Sequence, residues 1–130
     1  MTFEHFCYLV KLSGTILYDV DDENESIHIQ LPDDSILHFN FKSSLIRGVS
    51  YVQDKISPNL VGKALLFCNK WNEERYIPKI HLDSDNDFVI EYAIIHDDPN
   101  PNDEWVIRNF ILTCVAATKL AIEKIEEEFN

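Results

Sequence analysis

Hydrophobic positions near the N-terminus recur every three to four residues, which is the spacing of one helix face. The residues of this face are Phe3, Phe6, Cys7 and Val10. Thr2 is suited to cap the first turn, and Gly14 can adopt the left-handed conformation that ends many helices. The pattern therefore predicts a short helix over residues 3–13.

Alternating hydrophobic and polar positions follow this helix, which is typical of strands with one buried face. A short strand is expected from Ile16 to Val20, and two longer ones at 27–31 and 36–41, joined by a turn at Pro32-Asp33-Asp34. Another strand is expected at 45–54, where the alternation slips. We expect a bulge near Gly48 to cause that slip.

The register of the central hairpin follows from its buried face. If Ile29 faces Leu37, then His28 lies opposite His38 on the other face of the sheet, because strand side chains alternate.

The second half of the chain begins with a helix signal at Ser57-Pro58, a cap followed by proline. The segment that follows is apolar nearly all round as far as Asn72, so we expect it to be buried on more than one side, between the sheet and another helix or a second subunit. Strands at Tyr76–Asp83 and Phe88–His96 then form a second hairpin.

The last predicted helix starts at Asn100-Pro101 and carries an apolar stripe from Val106 to Phe129. Three glutamates at 126–128 are unfavourable at a helix C-terminus, so we expect the end to fray.

The predicted order is helix, three or four strands, helix, two strands and helix, in its shorter form α-β-β-β-α-β-β-α. Strands joined by tight turns favour an α+β fold with a largely antiparallel β-sheet and helices packed on one face. The 130 residues correspond to a single domain, residues 1–130.

Composition narrows the classes of function. The formal net charge of -12 disfavours nucleic-acid binding, and the acidic residues gather in turns rather than in rows. Three widely spaced cysteines within apolar patterns favour buried thiols and a cytoplasmic location. No signal peptide is visible, and no apolar run approaches the ~20 residues of a membrane span, so no membrane association is expected.

Metal chemistry has two weak candidates. His28 and His38 are neighbours across the hairpin, but a zinc site needs a further ligand, so two surface histidines are the favoured interpretation. The segment 83–87 has acidic oxygens at alternate positions, yet Phe88 and Ile94 occupy the positions where a calcium loop needs glycine and glutamate. No residue pattern indicates a catalytic, cofactor-binding or metal site, so an enzyme is not expected.

The most specific local motif is Asn69-x-Trp71-Asn72 at the end of the second helix. The asparagines can satisfy backbone groups and Trp71 can fill the gap between helix and sheet, although tryptophan is also common in binding hot spots. We expect a structural role for the three residues. The helix from Leu65, this motif and the hairpin up to Ile95 resemble the YbjN family of bacterial sensory transduction regulators, whose fold is similar to that of type III secretion chaperones.

The resemblance implies a non-enzymatic protein-binding or regulatory module in bacterial signalling or stress regulation, without a cofactor. Two alternatives stay open: a small ligand-binding domain or enzyme, and an acidic protein that mimics nucleic acid. The partner is expected to be a protein, either another chain or a second copy in a homodimer. The last helix offers a candidate partner or dimer surface at Trp105, Phe110, Ile125 and Phe129.

Overall fold

A computed structural model describes residues 1–42, 45–95 and 103–130 of the chain. Three α-helices are present in these residues: α1 (Phe3–Leu12), α2 (Val61–Glu74) and α3 (Asp103–Phe129). The Thr2 side chain accepts a hydrogen bond from the His5 backbone at 3.1 Å and caps α1, as predicted. Gly14 follows α1 with φ of 80°, the left-handed conformation that glycine adopts readily.

The strands form one six-stranded antiparallel sheet. They are β1 (Ile16–Asp21), β2 (Ser26–Gln30), β3 (Ile36–Phe41), β4 (Leu45–Val52), β5 (Lys79–Leu82) and β6 (Phe88–Ile95). Their order across the sheet is β1-β2-β3-β4-β6-β5, so β1 and β5 are the edge strands. The predicted α+β class with a largely antiparallel sheet is confirmed, and four strands precede α2, the larger of the two expected numbers.

The helices cover one face of the sheet. Inward side chains such as Phe39 on β3 and Ile90 on β6 share one hydrophobic cluster with Phe6, Cys68 and Ile111 from the three helices. Among the described residues, no helix lies on the opposite face, which carries the polar half of the strand alternation, with His28 paired opposite His38 as expected.

The expected bulge near Gly48 is wrong. β4 pairs with β3 and with β6 in unbroken register, and the sheet's irregularity lies instead between Leu17 and Asp19 on β1. The inward positions of β4 include Gly48 and Ser50, and a search for hydrophobic residues at alternate positions misses them because neither residue is hydrophobic. Ser50 is fully buried and donates a hydrogen bond to the Ile36 carbonyl at 2.9 Å, which satisfies its hydroxyl.

The start and the surroundings of α2 also differ from expectation. Ser57 makes no capping bond to the backbone; its hydroxyl bonds to the Asn59 side chain, and a 3-10 turn (Pro58–Leu60) precedes α2. Only one side of α2 is buried, since Leu65 and Leu66 on its outer side are 50% and 71% exposed. The α2 sequence is therefore more apolar than burial within this chain requires.

The far end of α3 is packed rather than frayed. Phe129 is 8% exposed, with its ring 5.1 Å from that of Phe88 and 5.8 Å from that of Phe67. The Lys63 ammonium donates to the Glu128 carbonyl at 2.6 Å and so places a positive charge at the helix C-terminus. The expected Asn100-Pro101 start of this helix lies outside the described residues.

By length and composition, α3 is apolar enough to cross a membrane, contrary to the sequence expectation. Core helices of globular domains pass the same criterion, and Ile107, Ile111 and Cys114 on this helix belong to the hydrophobic cluster under the sheet.

Candidate functional site

Trp71, at the centre of the sequence motif, closes the gap between α2 and the second hairpin. Its side chain is 3% exposed, and its indole N–H donates to the Pro78 carbonyl at 3.1 Å. The Arg75 guanidinium lies 3.9 Å from the indole ring centre and covers it from the solvent side. These contacts give Trp71 a packing role.

Asn72 acts as a short substitute for a strand partner. Its side-chain amide donates to the Ile80 carbonyl at 2.8 Å and its carbonyl accepts from the Ile80 amide at 2.9 Å. β5 is an edge strand, and these two bonds satisfy backbone groups that no further strand of residues 1–42, 45–95 or 103–130 pairs with. Asn69 differs, because its side chain points to solvent and makes no hydrogen bond within the part of the chain that the structure describes.

The candidate surface predicted on the last helix is mostly core. Phe110, Ile125 and Phe129 are 8%, 0% and 8% exposed, so the prediction that they contact a partner is wrong for these three residues. Trp105 is 71% exposed and remains available. The error has a physical cause, because α3 carries apolar residues on both its inner and its outer side and spacing alone cannot tell the two apart.

The outer side of α3 carries large apolar residues that sequence reasoning did not single out. Leu112 and Leu120 are 49% and 43% exposed, and they follow Trp105 at 7 and 15 residues along the same helix. At about 100° per residue, these separations rotate the side chain by about −20° and about +60°, so the three residues share one sector about 80° wide on the outer side of α3. Helical spacing from Trp105 could have grouped Leu112 with it, but it could not have shown that this side of the helix is exposed.

The outer side of α2 adds a second apolar stretch. Leu66 is exposed, and Gly62, one turn before it, has open space around the position of a side chain. A glycine inside a helix costs stability, and here no close neighbour inside the described chain requires one. We use the name outer helix surface for Leu65, Leu66, Trp105, Leu112 and Leu120.

The free face of the sheet is centred on the two histidines. The His28 and His38 rings stack with centroids 4.1 Å apart and planes inclined by 12°. The Nε2 atom of His38 is buried without a hydrogen-bond partner. Desolvation, followed by the charges of His28 and Arg47, lowers the pKa of His38 below its ordinary value.

This stack does not fit a shared metal ion. The lone pairs of imidazole nitrogens lie in the plane of the ring, so two nearly parallel rings direct them side by side rather than toward one point. The expectation of two surface histidines is met only in part, since both lie on the free face of the sheet but Nε2 of His38 is buried. A shallow groove of about 350 Å³ lies beside the stack, lined on its apolar side by Ile36, Val49 and Tyr51.

The acidic turn between β5 and β6 brings three carboxylates together. Ligand oxygens of Asp83, Asp85 and Asp87 lie within 4.8 Å of one another. The Asp83 carboxylate already accepts hydrogen bonds from the Asp85 and Asp87 amides at 3.0 and 2.9 Å, which makes it part of the turn itself. Phe88, at the position of the calcium-loop glycine, is buried in the core. The cluster is accounted for as an acidic hairpin turn.

The cysteines are poorly suited to nucleophilic chemistry. Burial raises the pKa of Cys68 to about 11 and raises the pKa of Cys114 well above its usual value. Burial is also the largest cause of the raised pKa of Cys7, followed by the nearby charge of Asp22. Thiols with raised pKa values stay protonated at neutral pH and react slowly.

Comparison with known proteins places these features in a family. Residues 16–121 match the model of the YbjN family, described as "Putative bacterial sensory transduction regulator". No curated protein matches the chain in a sequence search.

Two solved structures are similar in fold. The crystal structure of YbjN from E. coli, called "a putative transcription regulator", shares 13% identity at a TM-score of 0.63, with 91% of this chain and 94% of that chain covered. An uncharacterized protein from Methanothermobacter thermautotrophicus shares 17% identity at a TM-score of 0.63, with 100% of both chains covered. At these identities the likeness concerns the fold alone.

Proposed function

Because the chain belongs to the YbjN family of regulators, we propose that it is a non-enzymatic regulatory module that acts by binding a protein partner. The observation that carries the proposal is the outer helix surface. Its five side chains are between 43% and 71% exposed, two of them on α2 and three on α3.

Exposed leucines occur singly on most proteins, but several large apolar side chains exposed on one side of a helix are typical of interaction surfaces. Tryptophan, the residue at one end of the exposed sector of α3, is among the residue types most enriched in binding hot spots.

The remaining chemistry of the molecule fits this class of function. The raised pKa values of Cys68 and Cys114 argue against a thiol nucleophile, and the negative charge argues against a nucleic-acid partner. A cytoplasmic location fits three cysteines that carry no disulfide bond.

The test is affinity purification from the source organism with three forms of the full chain: wild type, Trp105→Gln/Leu112→Gln, and the control Tyr51→Gln. Tyr51 is 53% exposed on the free sheet face, so it matches Leu112 in exposure but not in position. Because all three residues are exposed, the variants should fold normally, which circular dichroism would verify.

We expect one polypeptide to be retained in stoichiometric amount by wild type and by Tyr51→Gln, and at least tenfold less by the double variant. Equal retention by all three forms would contradict the proposal, as would a wild-type protein that retains no polypeptide and stays monomeric.

A further inference from the structure

The two stacked histidines stand apart from the outer helix surface and from the hydrophobic core. His28 on β2 and His38 on β3 are a directly opposed pair on the free face, with ring centroids 4.1 Å apart. Histidine is the side chain whose ordinary pKa lies in the range of pH that cells experience, so two stacked histidines are a candidate for a pH-dependent feature.

The charged groups around the pair come from every neighbouring strand. Asp19 on β1 is the register partner of His28, and Arg47 on β4 lies near enough to His38 to oppose its protonation. Glu91 on β6 is engaged by the Arg47 guanidinium at 2.6 Å and by the His81 ring at 3.8 Å.

The carboxylate of Asp34 in the adjoining groove also has a hydrogen-bond partner. Asp34 accepts a hydrogen bond from the Gln30 amide at 3.0 Å. Within the described residues, no carboxylate makes an ion pair with His38, so the ring lacks a nearby anion that would stabilise its charged form.

Burial is a second reason why the His38 ring resists protonation. Its Nε2 atom has no hydrogen-bond partner, and a protonated imidazole needs a partner for each of its two N–H groups. Two positive rings at 4.1 Å also repel each other strongly, the more so where protein excludes water. The stack is therefore compatible with at most one charged ring.

We propose that the His28–His38 pair is a proton-driven switch that keeps the free face of the sheet closed at neutral pH and opens it in acid. When both rings take up protons, the His38 ring must turn outward to separate the charges and to hydrate Nε2. Val49, the register partner of His38, is only 5% exposed with the rings stacked and becomes accessible when that ring leaves. The change adds positive charge and apolar surface at the groove lined by Ile36 and Tyr51.

The test is an NMR titration of the histidine Cε1 protons from pH 8 to pH 5 on the full chain, with Val49 methyl signals recorded alongside a soluble nitroxide. The forms compared are wild type, His28→Gln and the control His81→Gln, which removes another histidine of the same face. His28→Asn serves as a second variant should the first fail to fold.

We expect the titration midpoint of His38 to rise when His28 is replaced and to stay unchanged in His81→Gln. In wild type the nitroxide should broaden the Val49 methyl signals several-fold more at pH 5 than at pH 8, following the His38 titration. A His38 midpoint that does not respond to His28 would overturn the switch. The switch is also overturned if the nitroxide broadens the Val49 methyl signals equally at pH 8 and at pH 5 although both rings are protonated at pH 5.

Discussion

Gly48 lies on the inward side of β4, directly beneath the aromatic core. A Cβ atom placed there would lie 3.0 Å from Cε1 and 3.2 Å from Cδ1 of Phe39, and 3.6 Å from Cδ2 of Tyr92. Phe39 has little room to move, because its ring is 5.5 Å from that of Phe6 on one helix and 6.2 Å from that of Phe110 on another. Gly48→Ala therefore forces a well-packed ring out of position.

The size of the effect follows from two opposing contributions. Overpacking by one methyl group costs about 1–3 kcal/mol in a close-packed core, and replacing glycine in a strand returns about 0.5–1 kcal/mol of backbone entropy. The two ranges leave a net loss of about 0–2.5 kcal/mol, centred near 1 kcal/mol, which lowers the urea midpoint of a small domain by roughly 0.5 M. Gly62→Ala is the matched control, because a Cβ atom there meets nothing within 4 Å.

Alanine at position 62, the second residue of α2, should raise stability by up to about 0.5 kcal/mol, since it improves helix propensity without a clash. Urea unfolding followed by fluorescence would measure both variants, with the buried Trp71 as the main reporter. The packing argument is refuted if Gly48→Ala is as stable as wild type, or if the two alanine variants shift the midpoint in the same direction.

Three further predictions concern hydrogen bonds and protons. Asn72→Ala removes both side-chain bonds to edge strand β5 and should lower stability by about 1–3 kcal/mol, while Asn69→Ala should stay within about 0.5 kcal/mol of wild type in the same urea assay. Tyr92→Phe should cost about 1–2 kcal/mol because it leaves the buried Thr118 hydroxyl, 2.6 Å from the phenol oxygen, unpaired. Adding Thr118→Val to that variant should cost less than Thr118→Val does alone in wild type, and additive losses would contradict the pairing. The lowered pKa of His38 means that the unfolded chain takes up this proton first, so its contribution to stability is complete above pH 6.5 and declines as the pH falls below that value. Thermal melts of His38→Gln should show a smaller loss between pH 7.5 and 5.5 than wild type, and an equal loss would contradict this assignment.

The sequence predicted the elements wherever local signals and burial agreed. The Thr2 cap, the left-handed Gly14 and the pairing of His28 with His38 all depend on residues close in the chain or on strict alternation. The misplaced bulge shows the limit of that approach, because Gly48 and Ser50 face the core without being hydrophobic. Their fit depends on Phe39 and on the Ile36 carbonyl, which only the folded sheet brings near.

The candidate surface was harder to predict for a related reason. α3 carries large apolar residues on both its inner and its outer side, so the choice between core and surface depends on which side the sheet covers. Phe110 and Trp105 carry the same kind of sequence signal, yet one is buried and the other exposed. Similarly, the unbroken apolar character of α2 indicated burial on two sides, whereas Leu66 is open to solvent.

The most direct test of the central claim is native mass spectrometry of the full chain purified gently from its source organism, beside Trp105→Gln/Leu112→Gln. The account predicts a defined complex for wild type, with one partner polypeptide or a second copy bound, and mainly free chain for the double variant. A wild-type spectrum of free monomer alone would contradict the claim that the outer helix surface binds protein, as would the same complex in both forms.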